Sequence, residues 1–217
     1  MTLLQALICS IAAAPVGLHG KELSIQVTDA SGQPLENTVI VLEAAGASSV
    51  QVTEAARMTQ QNRQFDPHVL VIRTGTGVEF PNLDNTQHHV YSFSPARTFE
   101  LELYAGQPEA PVVFGTTGVV ELGCNIHDQM QAFVVITDSA FQAVSDAGGQ
   151  ARLTIPDDTG FPLQLRVWHP RLEDNRDLQT VTVDSANDGR VAFALSVAAV
   201  PEPSGSLDRL QQRFRDL

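Results

Sequence analysis

The chain is poor in cysteine, methionine and basic residues. Its 217 residues include 2 Cys and 3 Met, and 25 acidic residues outnumber 13 basic ones to give a formal charge of −12. Nucleic acid is therefore not an expected partner, because neutralising phosphates requires clustered Lys and Arg. An acidic surface serves solubility or attracts a basic partner protein. With 18% charged and 43% hydrophobic residues, the composition is that of a folded globular protein.

No apolar run is long enough to span a bilayer. The uncharged segment 3–16 is too short for that and is followed by polar sequence, so residues 1–20 are predicted to be a signal peptide. The alternative is a buried strand, because the usual basic start is missing. Cleavage would remove Cys9 and leave Cys124 as the single thiol, which allows no disulfide. We expect a mature chain without an integral membrane segment in the periplasm, or otherwise exported.

The sequence pattern predicts an all-β protein. Alternation over residues 98–104 places Phe99, Leu101 and Leu103 inside the fold and the intervening Glu residues outside. The same period over residues 119–124 points Cys124 into the core with Glu121 on the opposite face. Residues 132–137 are almost continuously apolar, which predicts a strand covered on both faces.

Soft metal ligands follow the strand that ends at Cys124. His127 and Met130 add an imidazole and a thioether within the same seven residues, and the pair His88 and His89 lies some 35 residues earlier. Two His, one Cys and one Met form the ligand set of electron-transfer copper proteins. Each residue alone is more often structural, since a lone inward Cys usually acts as a small core hydrophobe.

Residues of about 56 to 138 resemble a cupredoxin, the family of plastocyanin, amicyanin and pseudoazurin. The resemblance is carried by the F-x-N-x5-H-x-V arrangement from Phe80 to Val90 and by the strand that ends in Cys-x-x-His. It implies a Greek-key β-sandwich with a copper site at one end. More narrowly, the segments HHVYSFSPA and LGCNIHDQM resemble a bacterial group labelled methylamine utilization proteins.

The resemblance also implies the copper ligands. His88 takes the first position, Cys124 supplies the thiolate, His127 the second imidazole and Met130 the weak axial ligand. His89 is the second choice to His88, because strand alternation lets only one of the two rings face a metal. A binuclear site would need two Cys, so one copper per chain, cycling between Cu(I) and Cu(II), is expected.

The expected function is electron transfer by a periplasmic, mononuclear type 1-like copper protein that is not an enzyme. No convincing Ser-His-Asp set, phosphate loop or additional His cluster is present in the sequence. By the resemblance, electrons would leave through the exposed edge of His127 to a redox partner, which could carry a basic docking surface. Alternatives are a copper-binding module for delivery or sensing, and a structural β protein with an unused site.

Sequence on both sides of the copper region forms a second pattern. Residues 23–42 and 143–168 resemble strands of carboxypeptidase-regulatory-like β-sandwiches, and neither half is large enough to close a core. We therefore expect one discontinuous Ig-like domain, 21–48 plus 139–199, with a cupredoxin domain at 49–138 inserted; the rival is one extended sandwich. Residues 200–217 are predicted to be a linker and a short amphipathic helix. His68 and His169 are expected to be structural.

Overall fold

The computed structural model describes residues 20–43, 55–127 and 129–199, and within them the chain is built from β-strands. The all-β prediction is confirmed. The predicted signal peptide, apart from Gly20, and the predicted C-terminal helix lie outside the described residues. No helix in the described part has the length and apolar character needed to cross a membrane. The strands are β1 Gly20–Asp29, β2 Val39–Leu42, β3 Ala56–Arg57, β4 Thr59–Gln61, β5 Gln64–Asp66, β6 Val69–Arg73, β7 Thr76–Glu79, β8 His88–Ser92, β9 Phe99–Tyr104, β10 Val112–Phe114, β11 Gly118–Cys124, β12 Gln131–Thr137, β13 Gln142–Val144, β14 Gln150–Pro156, β15 Leu163–Trp168, β16 Gln179–Val183 and β17 Arg190–Leu195.

Strands β3 to β12 form the first sandwich. A five-stranded sheet has the order β6-β12-β11-β8-β9, and a three-stranded sheet has the order β10-β7-β3. β6 and β12 pair in parallel, whereas β12, β11, β8 and β9 pair antiparallel. The buried core contains Met58, Phe65, Ile72, Val78, Phe80, Val90, Val112, Phe114, Val120, Leu122, Cys124, Met130, Ala132, Val134 and Ile136.

The alternation of β11 is the one that the sequence predicts. Val120, Leu122 and Cys124 are buried in the core, whereas Glu121 is exposed on the other face of the sheet. Because successive side chains of a strand point to opposite faces, the run from Val120 delivers the thiol of Cys124 into the interior at the strand's end.

The prediction that Leu103 points inward is wrong. Its side chain is 52% exposed, and Tyr104 takes the inward position instead. The cause is an irregular register, in which His88 pairs with Tyr104 but Val90 pairs with Leu101, so β9 has one residue more than β8 over this stretch. Such a bulge reverses the facing of every residue beyond it.

Strands that precede and follow the first sandwich in the sequence form the second sandwich. Its sheets have the orders β14-β1-β17 and β13-β2-β15-β16. β1 pairs antiparallel with β14 and parallel with β17, and β2 pairs antiparallel with both β13 and β15. The buried core contains Leu23, Ile25, Val27, Leu35, Ile40, Leu42, Ala151, Leu153, Ile155, Leu163, Leu165, Val167, Val183, Val191 and Leu195.

A third apolar cluster joins the two sandwiches. It contains Val39, Val41, Val69, Val119, Phe133, Val135, Trp168 and Leu172, which come from β2, β15 and the following loop on one side and from β6, β11 and β12 on the other. The Phe133 and Trp168 rings meet at a centroid distance of 5.0 Å. Strand β12 is therefore covered on both faces, as its continuous apolar sequence predicts.

Candidate metal centre

Three potential ligand atoms converge at one end of the first sandwich. His88 begins β8, Cys124 ends β11, and the two strands are antiparallel neighbours. Cys124 Sγ lies 3.7 Å from Nδ1 of His88 and 3.6 Å from Nδ1 of His127. The three ligand atoms all lie within 4.8 Å of one another. His88 and Cys124 are buried, whereas His127 is partly exposed, so the cluster lies just beneath the protein surface.

A compact turn holds His127 and Met130 next to the end of β11. The backbone N–H of Met130 donates to the carbonyl of His127 at 2.9 Å, and the N–H of Cys124 donates to the carbonyl of Met130 at 3.2 Å. Met130 is buried in the same core cluster as Cys124. The short spacing between His127 and Met130 is thus accommodated by a turn whose two ends are hydrogen-bonded to each other.

The two adjacent histidines face opposite ways. His88 is fully buried beside Cys124, and its ring centroid lies 4.9 Å from that of His127. His89 points to the outer face of the sheet, where its Nε2 lies 2.8 Å from Oε1 of Glu100. Of the two, the structure therefore brings His88 and not His89 to the thiol.

Asp84 contacts the far side of the His88 ring, and sequence reasoning missed it. Its Oδ2 lies 2.9 Å from Nε2 of His88. The backbone N–H groups of Asn62 and Arg63 donate to the same carboxylate at 2.7 and 2.9 Å. Burial alone would raise the pKa of Asp84, but the hydrogen bonds from Arg63, His88 and Asn62 outweigh it and hold the pKa below its usual value.

Asn82 organises the loop that carries Asp84. Its side-chain oxygen accepts the backbone N–H of Asp84 at 3.0 Å, and its amide nitrogen donates to the carbonyls of Thr86 and Tyr104 at 2.8 and 3.0 Å. The conspicuous Asn of the F-x-N pattern thus shapes the loop that leads into His88. Asn82 forms an Asx turn with Asp84, and of the residues in the sequence pattern it came nearest to indicating a role for Asp84.

Tyr104 lies across from His88 in the sheet. Its hydroxyl donates to the carbonyl of Phe80 at 2.7 Å and also contacts the buried amide of Gln60. Burial raises the pKa of Tyr104 to about 12, so the hydroxyl stays protonated at neutral pH.

The other two described histidines lie outside the cluster. His68 is exposed, and its ring packs edge-on against Phe133 at 5.7 Å. His169 is buried; its Nε2 lies 3.0 Å from the carbonyl of Glu36, and its Nδ1 accepts the backbone N–H of Arg171 at 3.1 Å. Burial, and next the charge of Arg171, lowers the pKa of His169 from 6.5 to about 4.

Parts of this chain are similar to solved structures. The chain resembles a Cu-containing nitrite reductase from Thermus scotoductus SA-01, with 21% identity and a TM-score of 0.37 over 44% of this chain and 25% of that one. It also resembles a purple cupredoxin from Nitrosopumilus maritimus, with 21% identity and a TM-score of 0.34 over 38% of this chain and 99% of that one. The solved structures that resemble this chain thus include a cupredoxin.

Amicyanin from Paracoccus versutus is a further similar structure, with 17% identity and a TM-score of 0.34 over 45% of this chain and 97% of that one. The chain thus spans a quarter of the nitrite reductase but nearly all of the two small cupredoxins. No family model matches the sequence, and no curated protein matches it. At these identities the likeness concerns the fold alone, and no function is taken from it.

The two sulfur-to-nitrogen distances in the cluster fit a metal ion. Bonds of about 2.3 Å to sulfur and about 2.0 Å to nitrogen, at an angle of about 120°, place the two ligand atoms about 3.7 Å apart. The observed S···N distances are 3.7 and 3.6 Å. A thiolate with two imidazoles in a trigonal arrangement is the donor set that copper electron-transfer sites use.

Proposed function

We propose that the protein binds one copper ion through His88, Cys124 and His127, with Met130 as the weak axial ligand, and that it transfers electrons. The observation that carries this proposal is the convergence of the three ligand atoms within 4.8 Å at one end of the sandwich. Met130 is included because it is buried in the same core and hydrogen-bonded through its backbone to both Cys124 and His127.

The surroundings of the ligands favour electron transfer over metal release. His88 and Cys124 are held on adjacent buried strands, so their positions are fixed by the sheet and not by the ion. Copper supplies one-electron chemistry, and a site preformed by the protein keeps the ligands in place in both oxidation states. Metal delivery would call instead for ligands that can open.

Electrons would leave through the exposed edge of His127. The apolar side chains of Leu83 and Ile126 are 58% and 46% exposed, and each is adjacent in sequence to a residue of the site. Given the formal charge of −12, we propose a redox partner with a basic docking surface and, from the apolar N-terminal segment, a periplasmic location.

We also propose that residues 21–48 and 139–199 form one discontinuous Ig-like domain around an inserted cupredoxin domain at 49–138. The pairing of β1 with β14 and β17, and of β2 with β15, supports it. The two host segments also meet on either side of it, since the N–H of Leu42 donates to the carbonyl of Phe141 at 2.9 Å and the hydroxyl of Ser139 donates to the carbonyl of Leu42 at 2.6 Å.

Copper titration followed by visible and EPR spectroscopy tests the function. We expect one Cu(II) per chain and an intense sulfur-to-copper charge-transfer band, which Cys124→Ser abolishes and which His68→Gln, a matched change outside the cluster, leaves intact. Persistence of the full band in Cys124→Ser would refute the ligand assignment. Copper that is lost during repeated oxidation and reduction would favour delivery or sensing, and no copper binding at all would indicate a structural β protein.

A further inference from the structure

The Asp84 carboxylate connects a proposed copper ligand to a distant hairpin. One oxygen faces Nε2 of His88 at 2.9 Å, and the backbone N–H groups of Asn62 and Arg63, at the tip of the β4–β5 hairpin, bind the same carboxylate at 2.7 and 2.9 Å. The carboxylate is thus held by three donors on two sides. It cannot turn away from His88 without giving up the hairpin contacts.

This arrangement determines which nitrogen of His88 carries the proton. An ionised carboxylate only accepts hydrogen bonds, so the neutral ring must present Nε2–H to Asp84. Nδ1 is then unprotonated, and it is the atom that lies 3.7 Å from the sulfur of Cys124. Hydrogen bonds to the second nitrogen of a ligating imidazole set its tautomer, orient its ring and increase its basicity.

The carboxylate also places a negative charge one ring away from the proposed copper ion. The side chain of Asp84 is only 14% exposed, so solvent screens this charge less than it screens a surface carboxylate. A fixed negative charge stabilises Cu(II) more than Cu(I), because the oxidised ion carries the larger positive charge. Its expected effect is a lower reduction potential.

We propose, on the basis of the copper function inferred above, that Asp84 is the positioning residue of this site. It holds His88 in the Nε2–H tautomer with Nδ1 directed at the metal position, and it biases the site towards the oxidised ion. Asn62 and Arg63 serve this role through their backbone N–H groups, which hold the carboxylate against the ring.

A second histidine–carboxylate pair in the same sheet provides a matched control. His89 Nε2 lies 2.8 Å from Glu100 Oε1, nearly the same distance as in the pair of His88 and Asp84. The Glu100 carboxylate lies on the outer face of the sheet, and the Glu100 side chain is 64% exposed. Asp84→Asn and Glu100→Gln therefore remove the same charge from the same kind of contact. Asp84→Asn does so beside the proposed ligand His88, and Glu100→Gln does so beside His89, which is not a proposed ligand.

The first test uses the metal-free protein. NMR couplings between the ring nitrogens and the carbon-bound ring protons report the tautomer of each histidine. In the wild type we expect His88 to be present only as the Nε2–H tautomer. In Asp84→Ala we expect His88 to be no longer restricted to that tautomer. A wild-type His88 that carries its proton on Nδ1 overturns the proposal, whether or not any variant folds.

The second test compares Cu(II) affinity, Cu(I) affinity and reduction potential in Asp84→Asn and Glu100→Gln. Loss of such an outer contact typically weakens metal binding by about 10–100-fold, and we expect Cu(II) binding to suffer about tenfold more than Cu(I) binding in Asp84→Asn. That ratio corresponds to a rise in potential of about 59 mV for one electron. Glu100→Gln should produce a much smaller shift, because solvent screens its carboxylate.

The outcomes separate this proposal from the copper function itself. Equal potentials and affinities in the two variants, with the wild type still showing its charge-transfer band, would refute the role of Asp84 and leave the copper function standing. A wild type without that band would refute the copper function, and the tautomer of metal-free His88 would still decide whether Asp84 orients the ring.

Discussion

Acidification should destabilise the protein through His169, whose ring is buried and bonded on both sides. Nδ1 accepts the N–H of Arg171 and Nε2 faces the carbonyl of Glu36, so the folded state has no place for a second ring proton. The pKa of His169 is lowered from 6.5 to about 4 in the fold. Between these values the unfolded chain binds a proton that the folded chain does not, and stability falls as the pH falls.

The size of the effect follows from the two pKa values. Relative to pH 8, the free energy of unfolding should drop by about 2 kcal/mol at pH 5 and by about 3 kcal/mol at pH 4, below which this contribution levels off. For a protein of this length, about 2 kcal/mol corresponds to a melting temperature lower by about 4–8 °C. Above pH 7 the same group should contribute almost no pH dependence.

Thermal or urea unfolding of the metal-free protein between pH 4 and pH 8 provides the measurement. His169→Gln keeps an amide donor near Glu36 but cannot titrate. The variant should therefore lack most of the acid-induced loss of unfolding free energy between pH 7 and pH 5. His68→Gln, which replaces an exposed histidine, should retain the acid-induced loss of stability. Parallel stability curves for the wild type and His169→Gln would show that His169 is not the group responsible.

Three further predictions concern ligand choice, packing and backbone. His88→Gln should abolish the charge-transfer band of the copper-loaded protein, whereas His89→Gln should at most shift its position or the potential; the opposite ranking in visible spectra would overturn the ligand assignment. Phe133→Ala should lower the unfolding free energy by about 3–5 kcal/mol in urea titrations, and a cost below about 1 kcal/mol would mean that the cluster between the sandwiches contributes little. Gly149→Ala should reduce soluble expression and stability, because its φ is +72° and a Cβ there would lie 2.3 Å from the carbonyl oxygen of Val27; a melting temperature equal to the wild type's would contradict this.

The thiol's position was predictable because it depends on a local rule. Strand alternation from Val120 places Cys124 inward, and His127 and Met130 follow it closely enough that a turn must keep them near. The same rule failed at Leu103, because one extra residue in β9 changes the facing of the strand's end. Nothing in the alternation of residues 98–104 signals that bulge, which depends on the pairing with β8.

Asp84 could not be predicted for a different reason. It lies in a loop, where no periodicity indicates which way a side chain points. Its role depends on the Asn62 and Arg63 N–H groups, which come from a hairpin some 21–22 residues earlier in the chain. Long-range contacts of this kind follow from how the strands pack. The spacing of Cys124 and His127 along the sequence does not predict them.

Strand β12 restricts how this protein can be divided. Ala132, Val134 and Ile136 lie in the core of the first sandwich, whereas Phe133 and Val135 pack against the second sandwich. A fragment cut to residues 56–137 would expose those two side chains as an apolar sheet face in water, which favours self-association. The first sandwich is therefore poorly suited to be transplanted alone into a fusion protein, and a soluble minimal version would need polar replacements on the outer face of β12.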